Sequence, residues 1–270
     1  METGLDDRRG LVIGGSRGIG KAIALELARE GVDLVLVART PGPLTDAAAE
    51  IAEATGRKVL AMPCDVTDRA RVEATVDDAA RALGGLHILV NSGSYPGGSP
   101  TATGPIETIV DEDFLEDFNV KYLGALRCAR AAIPHLKASG WGRIVNISGL
   151  NARIAGNLSG GARNASLVHF TRTLAMQLGR DGVTVNCIHP GLTRTEGVME
   201  MLAVRAAKRG ITVEELEAAD HAEGRGNSIG RMVDAREIAH LAVFLCSDRS
   251  WAVNGETIAA DGGGSRSVYY

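Results

Sequence analysis

The chain has 270 residues, of which 45% are apolar and 23% are charged. This balance supports a sizeable core and excludes the disordered, collagen-like and low-complexity classes of protein. The 29 basic and 33 acidic residues give a net charge of -4, and aromatic residues make up only 4% of the chain. Without a basic block or a base-stacking surface, nucleic acid is a poor candidate partner.

The sequence also argues against a membrane or a secreted location. No uncharged apolar run approaches the roughly 20 residues that a transmembrane helix needs, and the charged start METGLDDRRG lacks the apolar stretch of a signal peptide. The four cysteines are far apart and form no CxxC pair or zinc-like cluster: they are Cys64, Cys128, Cys187 and Cys246. We therefore expect reduced, buried thiols in a cytoplasmic protein, and no metal site.

Strand-like and helix-like segments alternate along the chain. In chain order, the predicted elements are a strand at 9–14, a helix at 21–31, a strand at 32–39, a helix at 44–55, a strand at 58–66, a helix at 68–83, a strand at 84–93, a helix at 111–137, a strand at 141–148, a helix at 160–180, a strand at 182–191, helices at 196–218 and 234–246, and a strand at 254–263. Alternation of this kind predicts βαβ units, and continuously apolar strands predict a sheet that is covered on both faces.

No linker or break in composition divides the chain. We therefore predict the α/β class: a single doubly wound Rossmann-type domain over residues 1–270, with a mostly parallel seven-stranded sheet and helices on both faces. The segment from about 192 to 228 is predicted to form a lid over a small-molecule site. Its mixed polarity indicates no substrate class.

A glycine-rich turn joins the first strand to the first helix. Gly14, Gly18 and Gly20 form a G-x-x-x-G-x-G pattern there. Glycines in such a turn let backbone N–H groups approach a pyrophosphate at a helix N-terminus. The pattern alone is also compatible with a plain tight turn, but the strand before it and the helix after it favour a dinucleotide site.

The end of the second strand indicates which dinucleotide binds. An Asp or Glu about 20 residues after the glycine turn would hold the ribose 2′-hydroxyl of NAD, but this strand ends without a carboxylate, in VAR followed by Thr40. Arg39 and Arg17 instead supply two guanidinium groups, which suit a 2′-phosphate. We therefore predict NADP, with NAD as the alternative; Arg39 is also open to interpretation as a solvated loop residue.

Further motifs follow in a fixed order. Asp65 comes after the third strand, Asn91 after the fourth, and Asn119 lies in the long helix. NCIHPG ends the sixth strand shortly before Thr195, and NGETIAADGG forms the last strand. Together with the glycine turn, this ordered set resembles the short-chain dehydrogenase/reductase family over essentially the whole chain. The resemblance implies an oxidoreductase that acts on a carbonyl or an alcohol.

The resemblance assigns roles position by position. The residues expected to bind the cofactor are Gly14, Ser16, Arg17, Gly18, Ile19, Gly20, Arg39, Asp65, Val66, Asn91, Asn164, Pro190, Gly191 and Thr195. Asn119 matches the asparagine of the family's catalytic tetrad. Ile13 stands where the family usually has Thr, and Ser92, Gly93 and Ser94 replace most of its NNAG motif.

The catalytic positions depart from the family. Its members use a Ser and a Tyr-x-x-x-Lys, in which the Tyr exchanges the proton while the Lys lowers the pKa of the Tyr and holds the ribose. Alignment places Gly149 at the Ser position, Gly160 at the Tyr position and Asn164 at the Lys position, and the chain contains no Tyr-x-x-x-Lys. A positioned acid or base contributes about 10²–10⁴ in rate. Carbonyl reduction should therefore be slow unless another group supplies the proton.

Several nearby groups are candidates for that role: they are Ser148, His189, His169 and Tyr95. Each also has a structural interpretation, as a strand-end cap, a residue common in the family, a packing residue or a cover for the substrate. We assign Ser148 and Asn119 to catalysis, and we expect Asn151 and Arg153 to line the pocket.

Three functions stay open at this point. The first is an NADP-dependent oxidoreductase with a non-standard proton donor. The second is a catalytically impaired nucleotide-binding homologue that acts as a sensor or partner subunit, and the third is a lyase or isomerase that uses the same pocket.

The resemblance also implies a homodimer or homotetramer formed by the helices at 111–137 and 160–180. Residues that would allow close packing there are Ala125, Ala129, Ala165 and Leu174. An alanine-rich face also packs on a sheet, and both interpretations stay open.

Overall fold

Seven parallel strands form the centre of the computed structural model, which describes residues 2–95, 97–224 and 226–265. Strand bounds in chain order are β1 (Arg9–Ile13), β2 (Asp33–Ala38), β3 (Val59–Pro63), β4 (Ile88–Asn91), β5 (Gly142–Ile147), β6 (Val183–Pro190), β7 (Thr193–Arg194), β8 (Val233–Asp234) and β9 (Thr257–Ala260). The order across the large sheet is β3-β2-β1-β4-β5-β6-β9, and every neighbouring pair is parallel. Strands β7 and β8 form a separate parallel pair.

Helices connect these strands. Their bounds are α1 (Gly18–Arg29), α2 (Pro41–Thr55), α3 (Arg69–Leu83), α4 (Pro100–Thr103), α5 (Asp111–Phe118), α6 (Gly124–Ala138), α7 (Leu158–Leu178), α8 (Glu196–Arg209), α9 (Val213–Ala222) and α10 (Ala235–Cys246). Single 3-10 turns lie at Ile106–Thr108, Leu150–Ala152, Gly179–Asp181 and Asp248–Ser250.

Both faces of the sheet are covered by helices. Successive strand residues point to opposite faces, so Leu34 and Leu36 of β2 join a core with α1, α2 and α10, while Val35 and Val37 join a core with α3, α6 and α7. All four side chains are buried. The predicted doubly wound Rossmann-type fold is therefore confirmed.

The strand order reverses between β1 and β4. From this point β1 pairs with β2 on one side, and β4 pairs with β5 on the other. The loops that follow β1 and β4 therefore diverge and open a crevice at the carboxyl ends of the strands, where such sheets bind ligands.

Two predicted helices are interrupted. The one at 111–137 consists of α5 and α6 with a π-helical segment, Asn119–Leu123, between them. The predicted lid helix is divided into α8 and α9, because Gly210 has a φ of 67° and Thr212 caps α9. Thr212 and Glu215 bond each other's backbone N–H groups. This capping box is visible in the sequence as Thr-x-x-Glu.

The lid segment has a small core of its own. Helices α8 and α9 pack together through a cluster formed by Leu202, Ala206, Leu216 and Met232. Strands β7 and β8 flank these helices in the chain and pair with each other. The described residues between β6 and α10 therefore contain a packed unit of their own.

An arginine stack closes the amino edge of the sheet. The guanidinium carbon of Arg143, in β5, lies 3.9 Å from the ring centre of Trp141 and 4.1 Å from that of Trp251. Asp248 accepts from Trp141 Nε1 at 2.7 Å and pairs with Arg143 at 3.4 Å. Burial lowers the pKa of Arg143 to about 10. The side chain is therefore a cation at neutral pH, held between two aromatic faces.

The small residues considered for a subunit contact are divided between core and surface. Ala125, Ala129 and Leu174 belong to the buried core with α3, whereas Ala165 is exposed on α7. Ala125 and Ala129 therefore pack within the protein's own core, and of the two interpretations, subunit contact or packing on the sheet, the second applies to them.

The structure bears on the predictions about the cysteines, a metal site and membrane spans. All four are buried and free of disulfide bonds. Within the described residues, no group of His, Cys, Asp and Glu side chains is arranged to hold a metal ion. In the same part of the chain, no helix is both long enough and apolar enough to cross a membrane.

Candidate active site

A cavity of about 540 Å³ opens at the carboxyl edge of the sheet. Its wall consists of the turn after β1, the ends of β2 to β5 and the segment 190–198. Most residues predicted for the site line this cavity: Gly14, Ser16, Arg17, Gly18, Ile19, Gly20, Arg39, Asp65, Val66, Ser148, Pro190, Gly191 and Thr195. The structure does not bring Asn91, Asn119 or Asn164 to its wall.

The turn after β1 is so tight that it requires glycine. Gly14 has a φ of 80°, and its N–H donates to the carbonyl of Val37 at 2.7 Å. A Cβ on Gly20 would lie 2.2 Å from the carbonyl oxygen of Gly14. Because that obstacle is backbone, no side chain is accommodated, and the bare turn keeps N–H groups open to an anion.

A carboxylate from the N-terminus of α8 contacts this turn. The N–H of Gly18 donates to Oε2 of Glu196 at 2.9 Å. Thr195, one residue earlier, caps α8 by accepting from the N–H of Val198 at 3.3 Å. Glu196 therefore places a negative group at the N-terminus of α1, where the helix dipole favours anions.

Arg39 lies at the far rim of the cavity, beyond β2. Its Nη1 donates to the Tyr95 hydroxyl at 2.9 Å, and that hydroxyl lies 3.5 Å from a carboxylate oxygen of Glu116. The phenol of Tyr95 therefore faces the guanidinium and not the end of β5. This placement does not support the hypothesis that Tyr95 donates a proton to substrate.

Asp65 is the carboxylate nearest to that rim. Burial by itself would raise the pKa of Asp65. Hydrogen bonds from the N–H and hydroxyl of Thr67 lower the pKa and outweigh burial, and the positive charges of Arg39 and Arg127 lower it as well. The pKa is lowered as a result, so Asp65 is ionised and can accept hydrogen bonds.

Asn119 lies behind the cavity wall. Its amide oxygen accepts from Arg127 at 2.9 Å, and the same guanidinium donates to the carbonyl of Val66 at 3.1 Å. Its amide nitrogen donates to Glu116 at 3.3 Å. The side chain therefore braces Val66 from outside and does not reach the end of β5, where catalysis was expected.

The same π-helical segment places Lys121 at the cavity instead. The Lys121 ammonium donates to the carbonyl of Ser148 at 2.9 Å, and the side chain lines the cavity. Burial, together with the charge of Arg163, lowers the pKa of Lys121 to about 7. The sequence interpretation missed this residue because a lysine in a regular helix is typically solvated, whereas a π turn changes the phase of the side chains that follow it.

Ser148 ends β5 at the cavity wall. Its hydroxyl donates to the backbone carbonyl of Asn164 at 3.0 Å, while its own carbonyl accepts from Lys121. The hydroxyl proton is engaged, so Ser148 presents an acceptor and not a free donor to the cavity.

Asparagine amides lie against two glycines at this end of the site, Gly149 and Gly160. A Cβ on Gly149 would lie 2.7 Å from Nδ2 of Asn164, and a Cβ on Gly160 would lie 2.6 Å from Nδ2 of Asn151. Asn157 also crowds Gly160 and accepts from its N–H at 2.7 Å. A side chain at either position would therefore require a neighbouring asparagine to move.

The two histidine candidates do not face the cavity. His189 is completely buried, and both ring nitrogens lack a partner among the described residues. Burial, followed by the charges of Arg153 and Lys121, lowers the pKa of His189 to about 4. It is therefore neutral at pH 7 and a poor acid, while His169 is exposed on α7.

Comparison with known proteins gives matches along nearly the whole chain. A family model described as enoyl-(acyl carrier protein) reductase matches residues 13–265. The short-chain reductase protein NovJ of Streptomyces niveus is 33% identical over 254 residues, which cover 94% of this chain and 92% of NovJ. The NADPH-dependent reductase BacG of Bacillus subtilis is 28% identical over 267 residues, covering 98% of this chain and 100% of BacG.

A solved structure has the same fold. The L-sorbose reductase of Gluconobacter frateurii, complexed with NADPH and L-sorbose, superposes with a TM-score of 0.92 and 30% identity. The superposition covers 99% of this chain and 100% of that one.

Proposed function

Because the chain belongs to the short-chain dehydrogenase/reductase family, we propose that it is an NADPH-dependent oxidoreductase that interconverts a carbonyl and an alcohol with a non-standard proton donor. The single observation that carries this proposal is the composition of the cavity wall. One end has a glycine turn and two arginines, and the other has Ser148 and Lys121. The phosphates of a dinucleotide therefore have a place at one end of the cavity, and the reacting carbonyl and its proton donor have a place at the other.

The residues present fit a dinucleotide. Gly14 and Gly20 pack backbone against backbone, so no side chain covers the turn and its backbone would bind a pyrophosphate. Asp65 and Val66 would hold the adenine end, and Pro190, Gly191 and Thr195 would hold the nicotinamide end. The bound cofactor supplies hydride to the substrate carbon.

The phosphate on the adenosine ribose is the feature that would separate NADPH from NADH. Arg17 and Arg39 both line the cavity, and Arg39 is held by Tyr95 with its guanidinium at the rim. Arginine binds phosphate in a bidentate manner. The names of two relatives, NADPH-dependent BacG and an L-sorbose reductase crystallised with NADPH, support the same choice.

One observation favours a second candidate function. Amides, which act as neither acids nor bases near neutral pH, lie against Gly149 and Gly160. A protein that binds NADPH without reducing a substrate, as a sensor or partner subunit, would have such a site. Slow or absent turnover with tight binding would support this alternative.

We expect a homodimer or homotetramer, as is usual in the family. The exposed side of α7, which includes Ala165, is the part of the predicted interface that stays available. A monomeric mass by light scattering at micromolar concentration would contradict this expectation.

A turnover screen tests the proposed function. Purified protein is titrated with NADPH and NADH by calorimetry, and NADPH oxidation is followed with ketones, aldehydes, 3-oxoacyl thioesters and enoyl thioesters. We expect tight NADPH binding and measurable oxidation with at least one carbonyl compound. Binding without oxidation of any compound would favour the second candidate, and the absence of binding would contradict both.

A further inference from the structure

Lys121 is a buried cation without an acidic partner. Its side chain is 8% exposed, and its ammonium bonds the carbonyl of Ser148. In the described part of the chain, no carboxylate lies within ion-pair distance of it. Removing an ammonium from water without a counter-charge is strongly unfavourable. A residue kept in such a position therefore calls for a role other than stability.

The nearest buried acid is already engaged. Asp117 is fully buried one turn earlier in the same helical segment. It accepts from the Ser159 hydroxyl at 2.6 Å and from the N–H of Ser99 at 3.1 Å, and Arg163 lies 3.8 Å away. The carboxylate of Asp117 is thus already bound by other donors and is not an ion-pair partner of Lys121.

The ammonium lies at the end of the cavity where the usual donors are missing. Lys121 lines the cavity together with Ser148, which follows β5, and with Pro190 and Gly191 at the end of β6. The other cationic side chains on the cavity wall, Arg17 and Arg39, lie at the glycine-turn and β2 ends. At the substrate end, the described wall contains one acidic N–H group, and it belongs to Lys121.

We propose, resting on the function proposed above, that Lys121 is the proton donor of this site. Its Nζ hydrogen-bonds the substrate carbonyl oxygen while the carbonyl carbon accepts hydride from the cofactor. The C=O π electrons move to the oxygen, which takes one proton from Nζ. The products are the alcohol, the oxidised cofactor and a neutral amine, and solvent then returns a proton to the amine.

The surrounding charges suit this role. Burial lowers the pKa of Lys121 to about 7, Arg163 of α7 acts in the same direction, and Cys187 of β6 and Asp117 oppose it. His189 of β6 is neutral at this pH, since its pKa is about 4. A donor whose pKa lies near the working pH is both charged enough to bind the oxygen and acidic enough to release its proton.

The carbonyl of Ser148 serves as the positioning group. It fixes Nζ at the end of β5, while the Ser148 hydroxyl is bound to Asn164. Ser148 thus acts through its backbone carbonyl, and replacing its hydroxyl would leave the contact with Lys121 in place.

The first test compares Lys121→Met with wild type. NADPH affinity, read from nicotinamide fluorescence, should change less than about threefold, while the rate of carbonyl reduction should fall about 10²–10⁴-fold. Ser148→Ala should reduce the rate less than Lys121→Met. Lys137→Met is the matched control, because Lys137 is a half-exposed surface residue paired with Asp181.

The second test does not depend on turnover. The chain has five lysines, so protein labelled with 13C at the lysine ε-carbon gives few NMR signals to titrate. One signal should titrate near pH 7, and Lys121→Met should remove it. Lys121→Ala should also regain reduction when methylamine or ethylamine is added, with a pH profile that follows the added amine.

The outcomes separate this inference from the proposed function. A wild-type protein that reduces carbonyls, with Lys121→Met equally active, would overturn the Lys121 assignment and leave the function standing. All five lysines titrating above pH 9 would overturn the assignment as well. A wild-type protein that binds NADPH and reduces nothing would overturn both.

Discussion

The two ends of the cavity are built from different materials. At the glycine-turn end, backbone atoms form the wall: Gly14 and Gly20 pack against each other, and their turn lines the cavity. At the β5 end, side chains form the wall, with the amides of Asn151 and Asn164 packed against glycines and one buried ammonium beside them.

This difference indicates which part of the site tolerates amino-acid substitution. A backbone cradle has no side chain to exchange, and its geometry is fixed by the positive φ of Gly14. A wall of side chains can be replaced residue by residue while the strands beneath stay in register. Each of the following predictions changes one end and leaves the other as its reference.

The largest effect is expected from Lys121→Met on stability. The folded-state pKa of Lys121 is about 7, against 10.5 for an ordinary lysine. Below pH 7 wild type bears the full cost of the buried charge, and between pH 7 and 10.5 the folded state holds fewer protons than the unfolded state, so wild-type stability rises with pH. Lys121→Met should therefore be more stable by a few kcal/mol near pH 6, since one pKa unit corresponds to about 1.4 kcal/mol.

Urea unfolding at several pH values between 6 and 9.5 measures this difference. The advantage of Lys121→Met should shrink steadily as the pH rises. A difference that is constant with pH would show that packing, and not charge, separates the two proteins.

At the other end, Gly20→Ala should weaken cofactor binding. The added methyl group would lie 2.2 Å from the carbonyl oxygen of Gly14, so the turn must open, at a typical cost of about 1–3 kcal/mol for overpacking. NADPH affinity by calorimetry should fall about 5- to 150-fold, since about 1.4 kcal/mol corresponds to a factor of ten. Gly42→Ala in α2 is the control, because a Cβ there meets no atom within 4 Å. Unchanged affinity in Gly20→Ala would contradict the backbone cradle.

Arg39→Ala tests the choice between cofactors. Loss of a charge-assisted bond to phosphate should weaken NADPH binding by about 1.5–3 kcal/mol. NADH lacks that phosphate, so its affinity in the same variant should not change, and it serves as the internal control. Equal affinity of wild type for the two cofactors, or tighter NADH, would reverse the assignment.

Gly149→Ala and Asn164→Ala test the rebuilt wall. The φ of Gly149 is 178°, which any residue adopts, so the obstacle is the Asn164 amide alone. Gly149→Ala should destabilise the fold by about 1–3 kcal/mol, and Asn164→Ala in the same chain should recover most of that loss. Strict additivity in this double-mutant cycle, measured by urea unfolding, would contradict the contact.

The same contacts decide how the family's triad would have to be restored. Gly149→Ser, Gly160→Tyr and Asn164→Lys need Asn151→Ala as well, because the Asn151 amide lies in the path of the new tyrosine. With that change, reduction should rise up to ~10²-fold.

The smallest effect is expected from Glu196→Gln. The Glu196 carboxylate bonds the N–H of Gly18, which a cofactor phosphate would also require. An anion at a helix N-terminus contributes about 0.3–1 kcal/mol, so removing its charge should tighten NADPH binding about two- to fivefold. Glu200→Gln, an exposed change in the same helix, should have no effect. Weaker binding in Glu196→Gln would indicate that the carboxylate helps to hold the cofactor.

The backbone end of the cavity was predictable from sequence, and the side-chain end was not. Strands such as 32–39 were located to within a few residues because continuous apolar runs between helical patterns have few alternative structures. The glycine turn was predictable because its geometry requires the residue type. Arg39 was predictable for a similar reason, because it directly follows the second strand, where the residue that contacts the adenosine ribose is expected.

Lys121 and Asn119 could not be placed from sequence. The directions of their side chains depend on the π-helical segment Asn119–Leu123. No residue type in the sequence predicts such a segment. Tyr95 faces Arg39 because of the path of a long loop, and loops of that length carry no periodic pattern. The break at Gly210, in contrast, had both a glycine and a capping box to mark it.

The arginine stack at the amino edge of the sheet has a consequence for spectroscopy. Trp141 and Trp251 are the chain's two tryptophans, and both contact Arg143. Arg143 and Ser148 are at opposite ends of β5, about 16 Å apart at roughly 3.3 Å per residue. Intrinsic fluorescence therefore reports on the integrity of the fold from a point remote from the ligands. Unfolding can be followed through tryptophan emission, while nicotinamide emission reports occupancy of the cavity in the same sample.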